Sequence, residues 1–223
     1  WKEILKESTG KNVLELAAGT ARIGIPLIRE GAKYTGVDIS PEFCKQAKKK
    51  IKSHQLNANF ITADIRSLKL NKKFDLIFIG FNSFLHLLKD DDALACLNSV
   101  KKHMHQNTLF VIDIFVPNPL FLYRPETKFP LMEYKDSTTG EIVSIDEISI
   151  YNPETEINSI TWYYNTPTKK NDAIYSFAMR MYFPDTMNRL IIDSGLKIQK
   201  VLGSHKHEKF NEESELQIYI CSL

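Results

Sequence analysis

The chain has 223 residues, with 29 lysines and arginines against 27 aspartates and glutamates, a formal net charge of +2 at pH 7. That length fits one domain with room for an inserted sub-domain, and the near balance of charge gives no general pull toward nucleic acid or a membrane surface. No apolar run is long enough to span a bilayer, no secretory leader is evident, and the three cysteines, Cys44, Cys96 and Cys221, are odd in number and lack metal-ligand spacing, so a reduced, cytoplasmic protein without a metal site is expected.

The sequence begins at Trp1 rather than methionine, which reads as a chain lacking its natural N-terminal piece. Residues 1–8 read as a short amphipathic helix. Residues 12–16 form a first strand, and residues 21–29 a helix carrying Ile23, Ile25, Leu27 and Ile28. A second strand spans 33–37. Ser40 caps a helix with Pro41 at its first position, running to about His54. Residues 59–62 and 74–79 are the third and fourth strands. Asp90, Asp91 and Asp92 open a helix with Leu94, Leu97, Val100 and Met104 on one face, and residues 108–115 are the fifth strand. The alternation of strand and helix predicts an α/β fold with a parallel sheet.

The rhythm changes from 123 to 182. No helical period is present, and three extended runs are predicted over 141–151, 157–164 and 175–183, with turns at 152–155 and 169–172. This reads as a small antiparallel β insertion that serves as a lid. Pro184 then opens a helix with Met187, Leu190 and Ile191, Gly195 ends it, and 197–202 and 217–222 are the last two strands. The expected organisation is a core over 1–122, the insertion over 123–182 and the C-terminal part of the core over 183–223.

The segment V-L-E-L-A-A-G-T-A-R-I-G, residues 13–24, carries the most chemistry. An apolar run ends in Glu15, a small-residue turn follows around Gly19, and a helical pattern begins. About twenty residues past the turn, a second apolar run ends in Asp38. Small residues let the backbone approach a ligand closely, the helix start offers free N–H groups, and a carboxylate ending the next strand accepts ribose hydroxyls. A dinucleotide site would want G-x-G-x-x-G here. The chain has Ala17-x-Gly19-x-x-Arg22, and Arg22 is too large for the third glycine position.

The turn resembles motif I of the class I S-adenosylmethionine-dependent methyltransferase family, an acid-x-Gly-x-Gly-x-Gly pattern commonly written D-L-G-C-G-T-G-R. Glu15, Gly19, Thr20 and Arg22 match it, while Ala17 and Ala21 stand where glycine is usual. T-A-D-I at 62–65 resembles the segment after the family's third strand, and F-D-L-I-F-I-G-F-N-S-F-L-H-L at 74–87 its fourth strand and active-site turn. The resemblance implies a three-layer Rossmann-like sheet, mostly parallel with an antiparallel last strand. It implies S-adenosylmethionine as cofactor and S-adenosylhomocysteine as product. Glu15, Gly19, Thr20, Arg22, Asp38 and Asp64 would hold the cofactor, with Asp38 on the ribose and Asp64 on the adenine amine; Ala17, Ile39, Ile65 and Phe81 would line its pocket.

The expected activity is methyl transfer to a nitrogen, or an oxygen, of a small-molecule acceptor by in-line displacement. Such a reaction leans on alignment more than on a catalytic constellation. His86 and Asp113 are the catalytic candidates, the first just past the fourth strand, the second an acid inside the fifth that needs a partner when buried. Asn82, Ser83, Arg180 and Tyr182 are candidates for the acceptor side. Each has a bland alternative in turn formation or packing, as do the aromatics Tyr151, Trp162, Tyr163, Tyr164, Tyr175, Phe177 and Tyr182. His205-Lys206-His207 reads as a polar loop, and His103 with His105 as a helix-end pair. Lys45, Lys48, Lys49, Lys50 and Lys52 read as a solvated helix face. Nucleic acid and membrane are disfavoured as partners, and a monomer or homodimer is expected. The other readings are an RNA or protein methyltransferase, or a cofactor-binding protein without catalysis.

Overall fold

A computed structural model of the protein describes residues 1–223. In chain order, α1 (Lys2–Glu7), β1 (Asn12–Leu16), α2 (Gly24–Arg29), β2 (Lys33–Asp38), α3 (Pro41–Ser53), β3 (Asn59–Thr62), β4 (Phe74–Ile79), α4 (Asp90–Lys101) and β5 (Met104–Phe115) come first. The insertion holds α5 (Pro119–Leu122), β6 (Phe129–Lys135), β7 (Ile142–Asn152), β8 (Ile157–Asn165) and β9 (Ala173–Arg180). The chain ends with α6 (Pro184–Asp193), β10 (Lys197–Leu202) and β11 (Leu216–Ser222).

Seven strands form one sheet in the order β10-β11-β5-β4-β1-β2-β3. All run parallel except β11, which is antiparallel to both β5 and β10. Both faces are covered because the strands are apolar on both. Val13, Phe78 and Val111 join the cluster that buries Ile4, Leu27 and Ala47 of α1, α2 and α3. Their neighbours Leu14, Ile77, Ile79 and Ile112 are equally buried on the opposite face, where α4 and α6 pack on one another. This is the expected three-layer sheet with its antiparallel last strand. The order reverses at β1, so the carboxyl ends of β1, β2 and β4 bound the crevice in which such folds bind ligands.

Local chemistry sets the element ends. The Ser40 hydroxyl accepts from Phe43 N at 3.2 Å, with Pro41 at the first helical position. Helix α2 starts at Gly24 rather than at 21, because Ala21 has φ +64°, outside the right-handed helix. Strand β5 begins at Met104 rather than 108. The pairing to β4 shifts between Phe74 and Leu76, and the Thr108 hydroxyl bridges the irregularity by donating to Phe74 O at 2.6 Å.

Two compact units divide the chain. The first holds 1–84, 89–116 and 183–223; the second holds 85–88 and 117–182. The second unit is a four-stranded antiparallel sheet, β6-β7-β8-β9, one strand more than the three expected extended runs. Strand β6 escaped the sequence because F-P-L-M-E-Y-K contains Pro130 and is exposed along nearly its whole length. An edge strand tolerates both. Strand β9 stops at Arg180 rather than 183: Met181 N still donates to Glu156 O at 2.7 Å, in register with the ladder, but Glu156 has φ +57° and takes the partner backbone out of the extended region. At the centre of this unit the buried Glu147 carboxylate accepts from the Arg124 guanidinium and from Trp162 Nε1 at 2.7 Å. The Arg124 guanidinium also lies over the rings of Phe121 and Phe129, at 3.9 and 3.6 Å.

Candidate functional site

Beyond β1, the backbone makes three left-handed excursions in five residues. Ala17, Gly19 and Ala21 have φ of +55°, +53° and +64°. The two alanines therefore keep the conformation that glycine adopts without strain. The turn is held by Asp38 at the end of β2. One carboxylate oxygen accepts from Gly19 N at 2.8 Å, the other from Ser40 N at 2.9 Å. Ala18 N donates to Val37 O at 2.9 Å, closing the turn onto β2. Gly36 of β2 permits this closeness, since a Cβ built there would lie 3.0 Å from the Ala18 Cβ and 2.7 Å from the Phe60 ring.

Glu15, just before the turn, is buried and accepts the Tyr34 hydroxyl. Burial pushes its carboxyl up to about 8, against the opposing pull of Tyr34 and of Arg22. The same burial and the neighbouring Glu15 raise Tyr34 well above the usual phenol range. Thr20 accepts from Lys50 Nζ at 2.8 Å, so one lysine of the α3 face reaches the turn. Ile39, next to Asp38, is 68% exposed.

Asp64 lies after β3, with Ile65 half-buried at the start of a 3-10 turn. Both Asp64 oxygens accept from Arg66, at 2.7 Å to Nη2 and 3.1 Å to Nε, and Arg66 extends to Asp92 at 2.7 Å. The Arg66 guanidinium holds the Asp64 carboxyl below the usual carboxylate range.

At the end of β4, Phe81 and Asn82 again take positive φ, +52° and +62°. The Asn82 amide oxygen accepts from Phe115 N at 2.8 Å, and Asn82 N donates to Asp113 O at 3.1 Å. Its side chain thus fastens the β4 turn to β5. The Arg22 guanidinium stacks 3.6 Å above the Phe81 ring, linking the first turn to this one. Asp113 is buried beneath, 3.5 Å from Phe81 N, and 3.3 Å from His205 Nε2 through each carboxylate oxygen. The first unit thus gathers Glu15, Ala17, Gly19, Thr20, Arg22, Asp38 and Ile39 at the ends of β1 and β2, and Phe81, Asn82 and Asp113 at the ends of β4 and β5.

His86, Arg180 and Tyr182 belong to the second unit. His86 is exposed, its ring 6.3 Å from that of Phe177. Arg180 pairs with Glu156 at 3.1 Å, and the buried Tyr182 hydroxyl donates to Leu87 O. The insertion's aromatics pack on one another, with Trp162 5.1 Å from Phe177 and Tyr164 5.5 Å from Tyr175. His103 is no helix-end cation. Its Nδ1 meets Ser99 O at 2.8 Å and its Nε2 accepts from Leu70 N at 2.9 Å, so it is a buried neutral imidazole. His105 faces Asp75 at 3.0 Å from inside β5.

The turn fits an adenosyl cofactor on three observations. A Cβ built at Gly19 would meet nothing within 4 Å, so the space over the turn is open. Asp38 keeps unused lone pairs beside its two backbone partners. Ile39 offers bare apolar surface next to that carboxylate. The sequence reading missed that Trp1 and His205 share a cavity with Phe81 and Asp113; the aspartate and histidine lie 92 positions apart, and no local pattern joins them.

A family model described as a methyltransferase domain matches residues 13–107. Over 115 residues the chain is 32% identical to a glycine/sarcosine N-methyltransferase of Parasynechococcus marenigrum, covering 49% of this chain and 40% of that protein. The chain spans less than half the length of the curated relatives it matches. Among solved structures it superposes on an S-adenosylmethionine-dependent methyltransferase from Clostridium acetobutylicum with TM-score 0.82 at 20% identity, covering 100% of this chain and 88% of the other. It also superposes on an amino pentose methyltransferase from Micromonospora echinaspora with TM-score 0.73 at 12% identity, covering 99% and 87%. The fold is that of class I methyltransferases. Residues 13–107 match the methyltransferase-domain model, and the chain shares the fold of S-adenosylmethionine-dependent methyltransferases. No helix is long and apolar enough to cross a membrane.

Proposed function

We propose that the protein transfers a methyl group from S-adenosylmethionine to a nitrogen, or an oxygen, of a small-molecule acceptor by in-line displacement. The observation that carries this reading is the left-handed turn at 17–21, fastened by Asp38 at the switch point of the sheet, with open space above Gly19. Asp38 and the Gly19 backbone would hold the ribose, while Ala17, Ile39, Ile65 and Phe81 would line the pocket. Asp64 is assigned the adenine amine, which would share its carboxylate with Arg66. Glu15, Thr20 and Arg22 would complete the turn's hold. When bound, the cofactor supplies an electrophilic methyl group on a positively charged sulfur.

The chain's own task is to keep the nucleophile in line and water away. Alignment of this kind is worth up to about 7–11 kcal/mol. Residues 123–182 are assigned to the acceptor, and 1–122 with 183–223 to the cofactor-binding core. His86 and Asp113 stay the candidates at the reacting group, and Arg180 and Tyr182 those on the acceptor side. Asn82 acts through the turn that it fastens. Nitrogen leads because the relatives that support it act, by their names, on glycine or sarcosine nitrogen and on an amino pentose. A reducing compartment is part of the proposal, supported by three buried, unbridged thiols.

The test is incubation with methyl-labelled S-adenosylmethionine and a panel of primary amines, secondary amines and alcohols. Label on an amine, with S-adenosylhomocysteine formed one for one, is the expected result. Cofactor binding without transfer to any acceptor would leave a binding protein in place of an enzyme.

A further inference from the structure

A cavity of about 170 Å³ opens beside the end of β4, lined by Trp1, Ile4, Phe81, Asp113, His205 and His207 among others. Its charged group is a carboxylate. Asp113 is 3% exposed, yet its partners are an amide N–H and an imidazole, neither a permanent cation. A buried carboxylate calls for a positive partner. The aromatic lining, Trp1 and Phe81, favours the same charge, since aromatic rings attract cations. Phe81 ties this cavity to the cofactor turn, since its ring carries the Arg22 guanidinium. His205 supplies a base. With Nε2–H donating to Asp113, Nδ1 is the remaining acceptor of the ring.

We infer that this cavity receives the acceptor's amine as an alkylammonium, held by Asp113 between Trp1 and Phe81, and that His205 takes its proton. The inference rests on the methyltransferase reading and names the nitrogen's seat within it. In the step, an ammonium N–H bond breaks and an Nδ1–H bond forms, and the electron pair left on nitrogen becomes the nucleophile's lone pair. Asp113 faces the resulting imidazolium, as an acid orients a histidine base in other enzymes. The proton then passes to water, since His205 is more than half exposed. The other charged groups nearby are His207, Lys206 and Glu208 on the same loop, Arg22 on Phe81, and Glu7 on α1, which lies 4.0 Å from His207 and 3.1 Å from Lys200 on β10.

The experiment is NMR of protein carrying ring-15N histidine and 15N tryptophan, titrated with methylammonium, with potassium and acetate as controls. Methylammonium alone is expected to shift the His205 ring and the Trp1 indole saturably. Asp113→Asn should weaken that binding at least tenfold and change the affinity for S-adenosylhomocysteine less than twofold. His205→Gln, on an exposed loop where it cannot unfold the core, should weaken methylammonium about threefold to tenfold. Shifts equally produced by potassium, or no shift at all, would overturn the inference. So would unchanged methylammonium binding in His205→Gln, for the base. If Asp113→Asn weakened S-adenosylhomocysteine tenfold but spared 5′-methylthioadenosine, the cavity would hold the cofactor's own amino group and not the acceptor's. Failure of the wild type to bind S-adenosylhomocysteine would strike the methyltransferase reading instead, independently of the ammonium shifts.

Discussion

Replacing Ala17 by glycine should stabilise the protein, although glycine substitutions usually do the opposite. Ala17 sits at φ +55°, where an L side chain costs about 1–2 kcal/mol. Glycine removes that strain and returns about 0.4–1 kcal/mol to the unfolded chain as entropy. Ala17 is half-buried, so its methyl contributes little burial, and the net gain is about 0.5–1 kcal/mol. Ala21 is the built-in control. It has φ +64° but is fully buried, so losing its methyl costs a further ~0.8 kcal/mol and brings Ala21→Gly close to zero. Urea unfolding of both variants reads the difference, and the melting temperature of Ala17→Gly should rise by about 1–4 °C. If Ala17→Gly lost a kcal/mol or more while Ala21→Gly gained stability, the strain argument for this turn would be refuted.

Two further outcomes follow from buried charge. Burial raises the folded Glu15 carboxyl from 4.5 to about 8, so the folded state binds this proton more tightly than the unfolded one. Stability should therefore fall as pH rises from about 4.5 to about 8, by up to ~1.4 kcal/mol per pH unit, and Glu15→Gln should flatten that slope in urea midpoints taken at pH 5, 6.5 and 8. Equal slopes would contradict it. Arg124→Met strands the Glu147 carboxylate with Trp162 as its remaining side-chain donor, at an expected cost of about 3–5 kcal/mol; a thermal melt equal to wild type would remove the pair from the insertion's core.

The central sheet was legible because each strand is an apolar run closed by turn or cap residues, and each reading needed only local pattern. Ser40-Pro41 announced α3, and the run ending at Asp38 announced the second acid. The conformation of Ala17 and Ala21 was not legible, because alanine carries no signal for a left-handed backbone. It is imposed by Asp38 reaching back 19 residues to Gly19 N. Strand β6 was hidden by its proline and by exposure along the edge, which erase alternation. Asp64 marked itself as a ligand candidate, but Arg66 two residues on already holds it. Asn82 and Tyr182 looked like free polar groups near a site, and tertiary contacts give each a structural hydrogen bond. The Asp113–His205 pair is the largest omission, since it exists only once β5 and the loop after β10 are side by side.

Calorimetric titration with S-adenosylmethionine and S-adenosylhomocysteine, with NAD as control and Asp38→Ala as the site variant, tests the central claim most directly. The account predicts affinity on the order of micromolar, about −8 kcal/mol, for the first two, none for NAD, and at least a tenfold loss in Asp38→Ala. Wild-type protein that binds neither adenosyl compound, or an Asp38→Ala variant that binds them as well as the parent, would contradict it.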